Sequence, residues 1–265
     1  MVGGMGASFE TIEHVVGDDH VATITLNRPD RLNSFNRQMA QELTSVWQSI
    51  RDDDAIHAVV LRAQGERAFC TGIDVKEGAW WTDQNIWNQE DPGASLGPKH
   101  HKVWKPVVAA VHGMCAGGGQ YFINECDIVI CADDAQFFDP HANSGIVSAL
   151  EPIGLLHRGV PLGDVLRWAL MGNDERVGAD TALRLGLVSE VVPRVELWPR
   201  AHEIAAAIAA RRPEAVQGTV RAIWEALDMN RSMALQNGLA YTHIGNPKRD
   251  DRPPRQQSGQ PPRVR

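Results

Sequence analysis

The feature that most constrains this chain is the stretch at residues 105–127, KPVVAAVHGMCAGGGQYFINECD. Its short apolar run at 106–111 is rich in β-branched residues, which predicts a buried strand. Three consecutive glycines follow, and the apolar residues after them favour the start of a buried helix. Glycines let a ligand approach the backbone closely, and a helix N-terminus offers unpaired N–H groups. The stretch therefore predicts a turn suited to an anion, or to an oxygen that becomes one during a reaction.

A glycine cluster alone is a weak indication of a site, because a turn that needs small residues has the same pattern. The cluster also lacks the G-x-G-x-x-G and G-x-x-x-x-G-K-[ST] spacings, which argues against a nucleotide phosphate loop. A second glycine turn, CTGIDVK at residues 70–76, follows another apolar segment. We predict that the backbone N–H groups of Ile73 and Gly118, one from each turn, converge as an oxyanion hole.

Composition excludes several classes of function. No apolar run approaches the roughly 20 residues that span a membrane, and residues 1–8 are expected to be a loose leader without the features of a signal peptide. The four cysteines form no C-x-x-C pair, so we expect reduced thiols in a cytoplasmic protein. The formal net charge of −7 argues against nucleic-acid binding. His100, His101 and Lys102 are interpreted as a solvated helix start, because no carboxylate or cysteine stands at metal-ligand spacing.

Hydrophobic periodicity predicts alternating strands and helices, followed by helices alone. Strands are predicted at 21–26, 58–61, 106–111, 127–132, 135–138 and 187–192. Helices are predicted at about 36–51, 162–171, 178–185 and 197–210, with further helical segments around 220–227 and 233–241. Several of the last helices carry apolar residues on more than one side, which fits either an oligomer interface or packing within the chain.

Two segments break this pattern. Residues 78–104 form a long insert in which Trp80, Trp81 and Trp87 stand out. These rings either cover the core or form a mobile wall over a binding pocket, since long loops in compact domains are often functional. Residues 248–265 hold six basic and two acidic residues with four prolines, which predicts disorder.

Three segments taken together, LNRPDRLNSFN, AFCTGIDVKE and KPVVAAVHGMCAGGGQYFINECDIVICADDAQF, resemble the crotonase (enoyl-CoA hydratase/isomerase) superfamily over about residues 9–245. The resemblance implies an α/β crotonase fold, with a stacked β-β-α superhelix core at 9–193 and a helical oligomerisation region at 194–245. The basic tail at 246–265 follows. It also implies an acyl-CoA or enoyl-CoA substrate, a homotrimer or hexamer (a dimer of trimers), and no separate cofactor, because coenzyme A is part of the substrate.

By resemblance, Ile73 and Gly118 donate their N–H groups to the thioester oxygen. The resemblance and the local charge also assign coenzyme A contacts to the two glycine turns and to the loop after the first predicted strand. Arg28, Arg31 and Lys76 are predicted phosphate contacts, while Thr71 and Val75 match positions that line the adenine pocket. The complete predicted set is Arg28, Arg31, Thr71, Gly72, Asp74, Val75, Lys76 and Gly117. The basic tail is a further candidate for attracting the phosphates.

The chain departs from the family pattern at both positions where a typical hydratase has a catalytic glutamate. Tyr121 stands at the first, in GGGQY against the usual GGGCE, and His141 at the second, in FDPH against the usual GxPE. Two carboxylates with different pKa values suit the addition of water to a double bond. A histidine can serve as acid or base near neutral pH, whereas tyrosine, with a pKa of about 10, is the better hydrogen-bond donor.

The candidate acid–base groups are His141 first, then Glu151, Asp139 and Tyr121. Strand alternation places Asp139 on the same face as His141, so Asp139 is expected to orient the imidazole. Glu151 is expected in a Leu-Glu-Pro turn before the next helix. A structural role also remains open for two of these residues. His141 could be a core histidine bonded to a backbone carbonyl, and Glu151 could be a charge at a helix N-terminus.

The resemblance implies hydration of an enoyl-CoA through a stabilised enolate, with both usual catalytic glutamates replaced. Isomerisation, decarboxylation and C–C bond cleavage start from the same enolate and stay open. A non-catalytic acyl-CoA-binding protein is the alternative from another class. A peptidase-like variant is disfavoured, because no serine nucleophile follows the three glycines.

Overall fold

The computed structural model describes residues 9–78, 85–88, 90–244 and 263–264. Ten strands are found in these residues: β1 Ile12–Val16, β2 Val21–Leu26, β3 Ala58–Ala63, β4 Ala68–Cys70, β5 Val107–Val111, β6 Met114–Ala116, β7 Ile128–Ala132, β8 Gln136–Phe138, β9 Val177–Gly178 and β10 Glu190–Val192. Eight α-helices are found there: α1 Arg37–Asp52, α2 Gly119–Asn124, α3 Leu150–His157, α4 Leu162–Met171, α5 Ala179–Arg184, α6 Leu197–Ala209, α7 Pro213–Ala226 and α8 Arg231–Ile244.

The strands form two sheets that are stacked along the chain. The larger sheet has the order β1-β2-β3-β5-β7-β10, in which only the β1–β2 pair is antiparallel. The smaller sheet has the order β4-β6-β8-β9, and its first three strands are parallel. The chain passes from a strand of the larger sheet into the neighbouring strand of the smaller one three times, at β3–β4, β5–β6 and β7–β8. This is the stacked β-β-α arrangement that the resemblance implied.

Both faces of the larger sheet are covered, which explains why its strands are almost continuously apolar. Side chains of α1 pack against one face, together with alternate strand residues such as Val59 and Leu61. Four small or apolar residues of α6 pack against the other face: Leu197, Ala201, Ala205 and Ala209. The predicted boundary at 193/194 therefore separates α6 from the sheet that it covers, and we group α6 with the core.

Most predicted elements are present, with two differences. β1 was not predicted, although it pairs along its full length with β2. Residues 150–152 were predicted as a turn, but they form the first turn of α3. A proline in the first turn is compatible with a helix, because its missing N–H has no intrahelical acceptor there. Glu151 thus lies on a helix rather than in a loop.

The predictions for the insert and its flanks were partly wrong. His101 is buried and its Nε2 lies 3.1 Å from the backbone oxygen of Ser95, so it does not belong to a solvated helix start. The side chain of Trp87 is 88% exposed and does not cover the core. Trp80 and Trp81 lie outside the described residues, as do the leader and almost all of the tail. Among the described residues no helix is both long enough and apolar enough to cross a membrane.

The loop between β2 and α1 is held by one buried amide. Asn33 accepts a hydrogen bond from the Arg28 N–H at 2.8 Å, and it donates to the backbone oxygens of Gln64 and Ala68 at 2.8 and 2.9 Å. Its φ of 52° lies in the left-handed region, which asparagine tolerates better than most residues. Asn33 therefore ties this loop to the start of the second glycine turn.

We expect Asn33→Ala to lower the free energy of unfolding by about 1–3 kcal/mol, because it leaves buried backbone groups without partners. Urea denaturation measures the change. Asn27→Ala is the control, since the Asn27 side chain makes one exposed hydrogen bond to Glu13 and its loss should cost less than about 0.5 kcal/mol. Equal losses in the two variants would contradict the assigned role of Asn33.

Candidate active site

The two glycine turns lie against each other. Gly72 has a φ of +89°, and a Cβ added there would lie 3.0 Å from the nitrogen of Gly118. A Cβ added to Gly118 would in turn lie 2.8 Å from the Phe35 ring. Both positions therefore need glycine: Gly72 for its backbone conformation and for space, and Gly118 for space.

The backbone of the second turn directs one N–H away from its neighbouring strand. Phe35 donates to the oxygen of Gly72 at 2.9 Å and accepts from the N–H of Asp74 at 2.8 Å, forming a parallel bridge centred on Ile73. Because successive peptide groups of an extended chain point in opposite directions, the Ile73 N–H faces the other side. Gly118 precedes the first residue of α2, where N–H groups have no intrahelical acceptor. Within the described part of the chain, neither N–H group makes a hydrogen bond.

A cavity of about 240 Å³ opens beside these turns. Ile73 and Gly118 line it, and so do three of the four predicted acid–base residues: Tyr121, His141 and Glu151. The cavity therefore brings together residues that lie up to 78 positions apart in the sequence. The spacing of the motifs in the sequence did not establish that these residues lie close together.

The fourth predicted residue, Asp139, does not line the cavity but contacts the Nδ1 atom of the His141 ring. Its Oδ1 accepts hydrogen bonds from the backbone N–H of His141 at 3.0 Å and from the Nδ1 of the same ring. Because an ionised carboxylate can only accept, Nδ1 carries the proton and Nε2 faces the cavity. Ser148 donates its hydroxyl to the other oxygen of Asp139. The predicted contact between Asp139 and His141 is present, but β8 ends at Phe138, so a turn rather than strand alternation produces it.

Glu151 reaches the same space from the first turn of α3. Its Oε1 lies 3.8 Å from Nε2 of His141. That separation is too long for a direct hydrogen bond. A small group, such as a water molecule, could contact the Nε2 and Oε1 atoms at the same time. Tyr121 interacts with the carboxyl groups of both Glu151 and Asp91, and all three residues line the cavity.

Burial and hydrogen bonding shift the protonation of these groups. The hydrogen bond to Asp139 raises the pKa of His141 above its ordinary value of 6.5, although burial opposes the shift. Burial raises the pKa of Glu151 above 4.5. Burial also acts to raise the pKa of Asp139, but hydrogen bonds from His141 and Ser148 hold that pKa below its ordinary value. Burial and the neighbouring carboxylates raise the pKa of Tyr121, so the phenol keeps its proton and donates.

The residues predicted to contact coenzyme A surround the second glycine turn. Arg31, Val75 and Lys76 have exposed side chains, and Thr71 is half-buried. Arg28 and Asp74 bond each other at 3.0 Å, and Arg28 also contacts Glu77 at 3.0 Å. Arg28 is therefore already neutralised by two carboxylates, and Asp74 caps the short 3₁₀ turn that begins at Val75. Gly72 and Gly117 are buried in the turns themselves. The coenzyme A assignments stay predictions.

Two residues at the site were not found from the sequence. Asp91 lines the cavity, but its sequence signal, an acidic residue before Pro92-Gly93, indicates only a turn. Its carboxylate does accept the Gly93 N–H at 3.1 Å, as that signal implies. Ser148 had no distinguishing pattern at all, because its partner Asp139 is nine residues away along an irregular segment.

Comparison with known proteins agrees with this architecture. Residues 17–244 match the family model for enoyl-CoA hydratase/isomerase. An (E)-benzylidenesuccinyl-CoA hydratase of Thauera aromatica is 34% identical over 226 residues, which cover 85% of this chain and 86% of that protein. A short-chain-enoyl-CoA hydratase of Clostridium acetobutylicum is 34% identical over 222 residues, covering 81% and 82%. A crystal structure of an enoyl-CoA hydratase/isomerase from Mycobacterium paratuberculosis superposes with a TM-score of 0.84 at 37% identity, covering 92% and 93%.

The chain belongs to the enoyl-CoA hydratase/isomerase family and has the crotonase fold. The resemblance drawn from its three motifs is confirmed. Membership supports an enzyme that acts on an acyl-CoA thioester.

Proposed function

We propose that this protein hydrates the double bond of a 2-enoyl-CoA, or catalyses the reverse dehydration. The observation that carries the proposal is the 3.8 Å separation of His141 Nε2 and Glu151 Oε1 in a cavity that Ile73 and Gly118 also line. Hydration needs one group that removes a proton from water and one that delivers a proton to the α-carbon. The cavity offers both groups beside two unused N–H donors.

The two backbone N–H groups would bind the thioester oxygen. As water adds to the β-carbon, negative charge moves onto that oxygen, and the enolate forms. Donors that are fixed in place before the reaction stabilise this charge, and the loss of one such donor typically costs about 100- to 1,000-fold in rate. The Gly118 donor lies immediately before the first residue of α2.

Glu151 is the base and His141 the acid in this proposal. The hydrogen bond from His141 to ionised Asp139 favours the imidazolium form, so Nε2 carries a proton to deliver. Glu151 takes a proton from water as the oxygen bonds to the β-carbon, and His141 gives its proton to the α-carbon of the enolate. Water supplies the hydroxyl group, and the second proton remains on Glu151 until it returns to the imidazole or to solvent.

Tyr121 and Asp91 act as positioning residues for Glu151. A phenol has one proton, so it can donate to only one of the two carboxyl groups that flank it at a time. Burial raises the pKa of Asp91, although hydrogen bonds from the Gly93 N–H and the Tyr121 hydroxyl oppose the shift. A Tyr121 hydroxyl that donates to Glu151 would keep the Glu151 carboxylate aimed at the cavity.

A non-catalytic acyl-CoA-binding protein is less well supported by this geometry. Such a protein has no need for an Asp139–His141 pair, and its acidic side chains would turn into the core. Both His141 and Glu151 instead line the cavity. Isomerisation and the other enolate reactions would use the same N–H donors, Ile73 and Gly118. These reactions differ from hydration in the substrate that the enzyme converts.

The assay that tests the proposal follows loss of enoyl absorbance with purified protein, crotonyl-CoA and a longer 2-enoyl-CoA. We expect turnover of at least one thioester, with the 3-hydroxyacyl-CoA as product identified by mass. Micromolar binding of acyl-CoA without turnover would overturn the hydratase proposal and favour the binding protein.

The assembly and location of the protein also remain proposals. The homotrimer or hexamer is supported by exposed leucines on one face of α4, Leu162, Leu166 and Leu170, which recur every four residues. A cytoplasmic location is supported by the expected reduced state of the cysteines.

A further inference from the structure

A second cavity, of about 710 Å³, lies between α3 and α7 and adjoins the first. Asp91, Tyr121 and Leu150 line both cavities. Apolar side chains such as Ile153 and Ile223 form much of its wall. An acyl group whose reacting carbons lie beside Glu151 can therefore continue into the second cavity. Its volume lies in the range of pockets that hold whole small ligands.

One cation in the wall of this cavity, Arg158, forms no ion pair with a carboxylate of the described residues. Arg158 directly follows α3, and its Nη1 donates to the backbone oxygen of Cys126 at 2.8 Å. Its Nε is buried without a hydrogen-bond partner. Asp127 acts on this guanidinium through space, but within the described ranges no carboxylate forms an ion pair with it. A buried, unpaired charge is costly unless a partner arrives, and a guanidinium is well suited to bind a carboxylate with two parallel hydrogen bonds.

Two of the four acidic residues that line this cavity, Asp127 and Glu125, are already occupied. Asp127 accepts from the Nζ of Lys99 at 2.8 Å and from the indole N–H of Trp224 at 2.6 Å. Glu125 accepts from the backbone N–H groups of Lys99 and His100 at 2.6 and 3.0 Å. These two carboxylates are therefore engaged by other donors, and Arg158 is the guanidinium of this wall that a carboxylate ligand would pair with.

The helix fixes the distance between Arg158 and the reaction site. Glu151 and Arg158 are seven residues apart, so they lie on the same face of α3. At a rise of 1.5 Å per residue, the two positions are separated by roughly 10 Å along the helix axis. A medium-length acyl chain would span this separation.

We propose that the acyl group of the substrate ends in a second carboxylate, which binds Arg158. The substrate class is then the 2-enoyl-CoA of a dicarboxylic acid. This inference rests on the proposed function, because it assumes that the reacting carbons lie beside Glu151.

The test compares the binding of two matched, unreactive thioesters, suberyl-CoA and octanoyl-CoA, by titration calorimetry. The two acyl chains have the same length and differ in the terminal carboxylate. We expect the wild-type protein to bind suberyl-CoA about tenfold or more tightly than octanoyl-CoA, as one charge-assisted pair would give. Arg158→Gln should abolish the preference. Arg167→Gln is the control: it removes an exposed arginine of α4 that pairs with Glu175, and it should leave the preference for suberyl-CoA unchanged.

Loss of Arg158 also removes its bond to Cys126, so a second variant keeps the test independent of folding. Ile223→Asp places a negative charge on the α7 wall from an exposed position, and it should weaken suberyl-CoA binding while changing octanoyl-CoA binding less. Equal affinity of the wild type for both thioesters, or a preference that survives Arg158→Gln, would overturn the inference. Because these thioesters do not react, failure of the hydratase assay leaves this readout intact, so the two proposals fail separately.

Discussion

Replacing His141 with alanine is expected to lower kcat for enoyl-CoA hydration by about 100- to 10,000-fold, the usual contribution of a general acid or base. The imidazole is held by Asp139 and faces Glu151 across 3.8 Å. Its removal takes away the proton donor for the α-carbon, and the backbone donors of Ile73 and Gly118 remain. The affinity for a saturated acyl-CoA should therefore change little, whereas the hydration rate, measured by stopped-flow or steady-state kinetics, should fall.

Three further variants separate the acid from the base. Glu151→Gln should reduce kcat to a similar extent, because glutamine cannot accept a proton from water. Asp139→Asn should cost less than His141→Ala, since it removes the orientation and the charge partner but keeps the ring. His243→Ala, at an exposed position in α8, is the matched control and should leave kcat unchanged. A His141→Ala protein with kcat within a few-fold of the wild type would exclude the assigned role.

The pH dependence gives a second signature of the same pair. Activity requires ionised Glu151 and protonated His141. Burial raises the pKa of Glu151 above 4.5, so kcat/KM should rise with pH through a value above 4.5. Asp139 raises the pKa of His141 above 6.5, so kcat/KM should fall again only above 6.5. The two values belong to the coupled pair. Asp139→Asn should move the alkaline limb to lower pH, whereas a merely structural role of Asp139 would lower activity equally at every pH.

Local sequence patterns predicted the framework well because they report local physics. The strand Val21–Leu26 and the helix Arg37–Asp52 were found where alternation and periodicity placed them. The two glycine turns were recognised for the same reason, since Gly72 needs a positive φ and both turns need space. These requirements act over a few residues, so they leave a direct trace in the sequence.

The rest of the site depends on contacts between distant segments. Asp91 comes from the long insert and meets Tyr121 only because both line one cavity. Glu151 was assigned to a turn because Pro152 follows it, although the first turn of a helix accepts proline. Arg28 was expected at a phosphate, and its two carboxylate partners, Asp74 and Glu77, are 46 and 49 residues away. Nothing in the local pattern indicates such partners.

The second large effect is expected from Gly72→Ala, which adds one methyl group between the two turns. The new Cβ would lie 3.0 Å from the nitrogen of Gly118 and 3.3 Å from the backbone oxygen of Ala116. Backbone atoms cannot move aside as a flexible side chain does, so the turns must separate. We expect kcat/KM to fall by about 100-fold or more, the scale on which one oxyanion donor acts. The measurement is steady-state hydration together with urea denaturation.

Gly78→Ala is the matched control, because it separates backbone strain from displacement of the donors. Gly78 also has a positive φ, of +79°, but a Cβ added there meets no atom of the described residues within 4 Å. Both variants should lose about 1–2 kcal/mol of stability from the left-handed backbone conformation, and only Gly72→Ala should lose the rate. If the two variants kept the same kcat/KM, the N–H groups of Ile73 and Gly118 would not act together on the thioester oxygen. A loss of kcat/KM in Gly72→Ala but not in Gly78→Ala would instead show that the rate depends on the distance between the two turns.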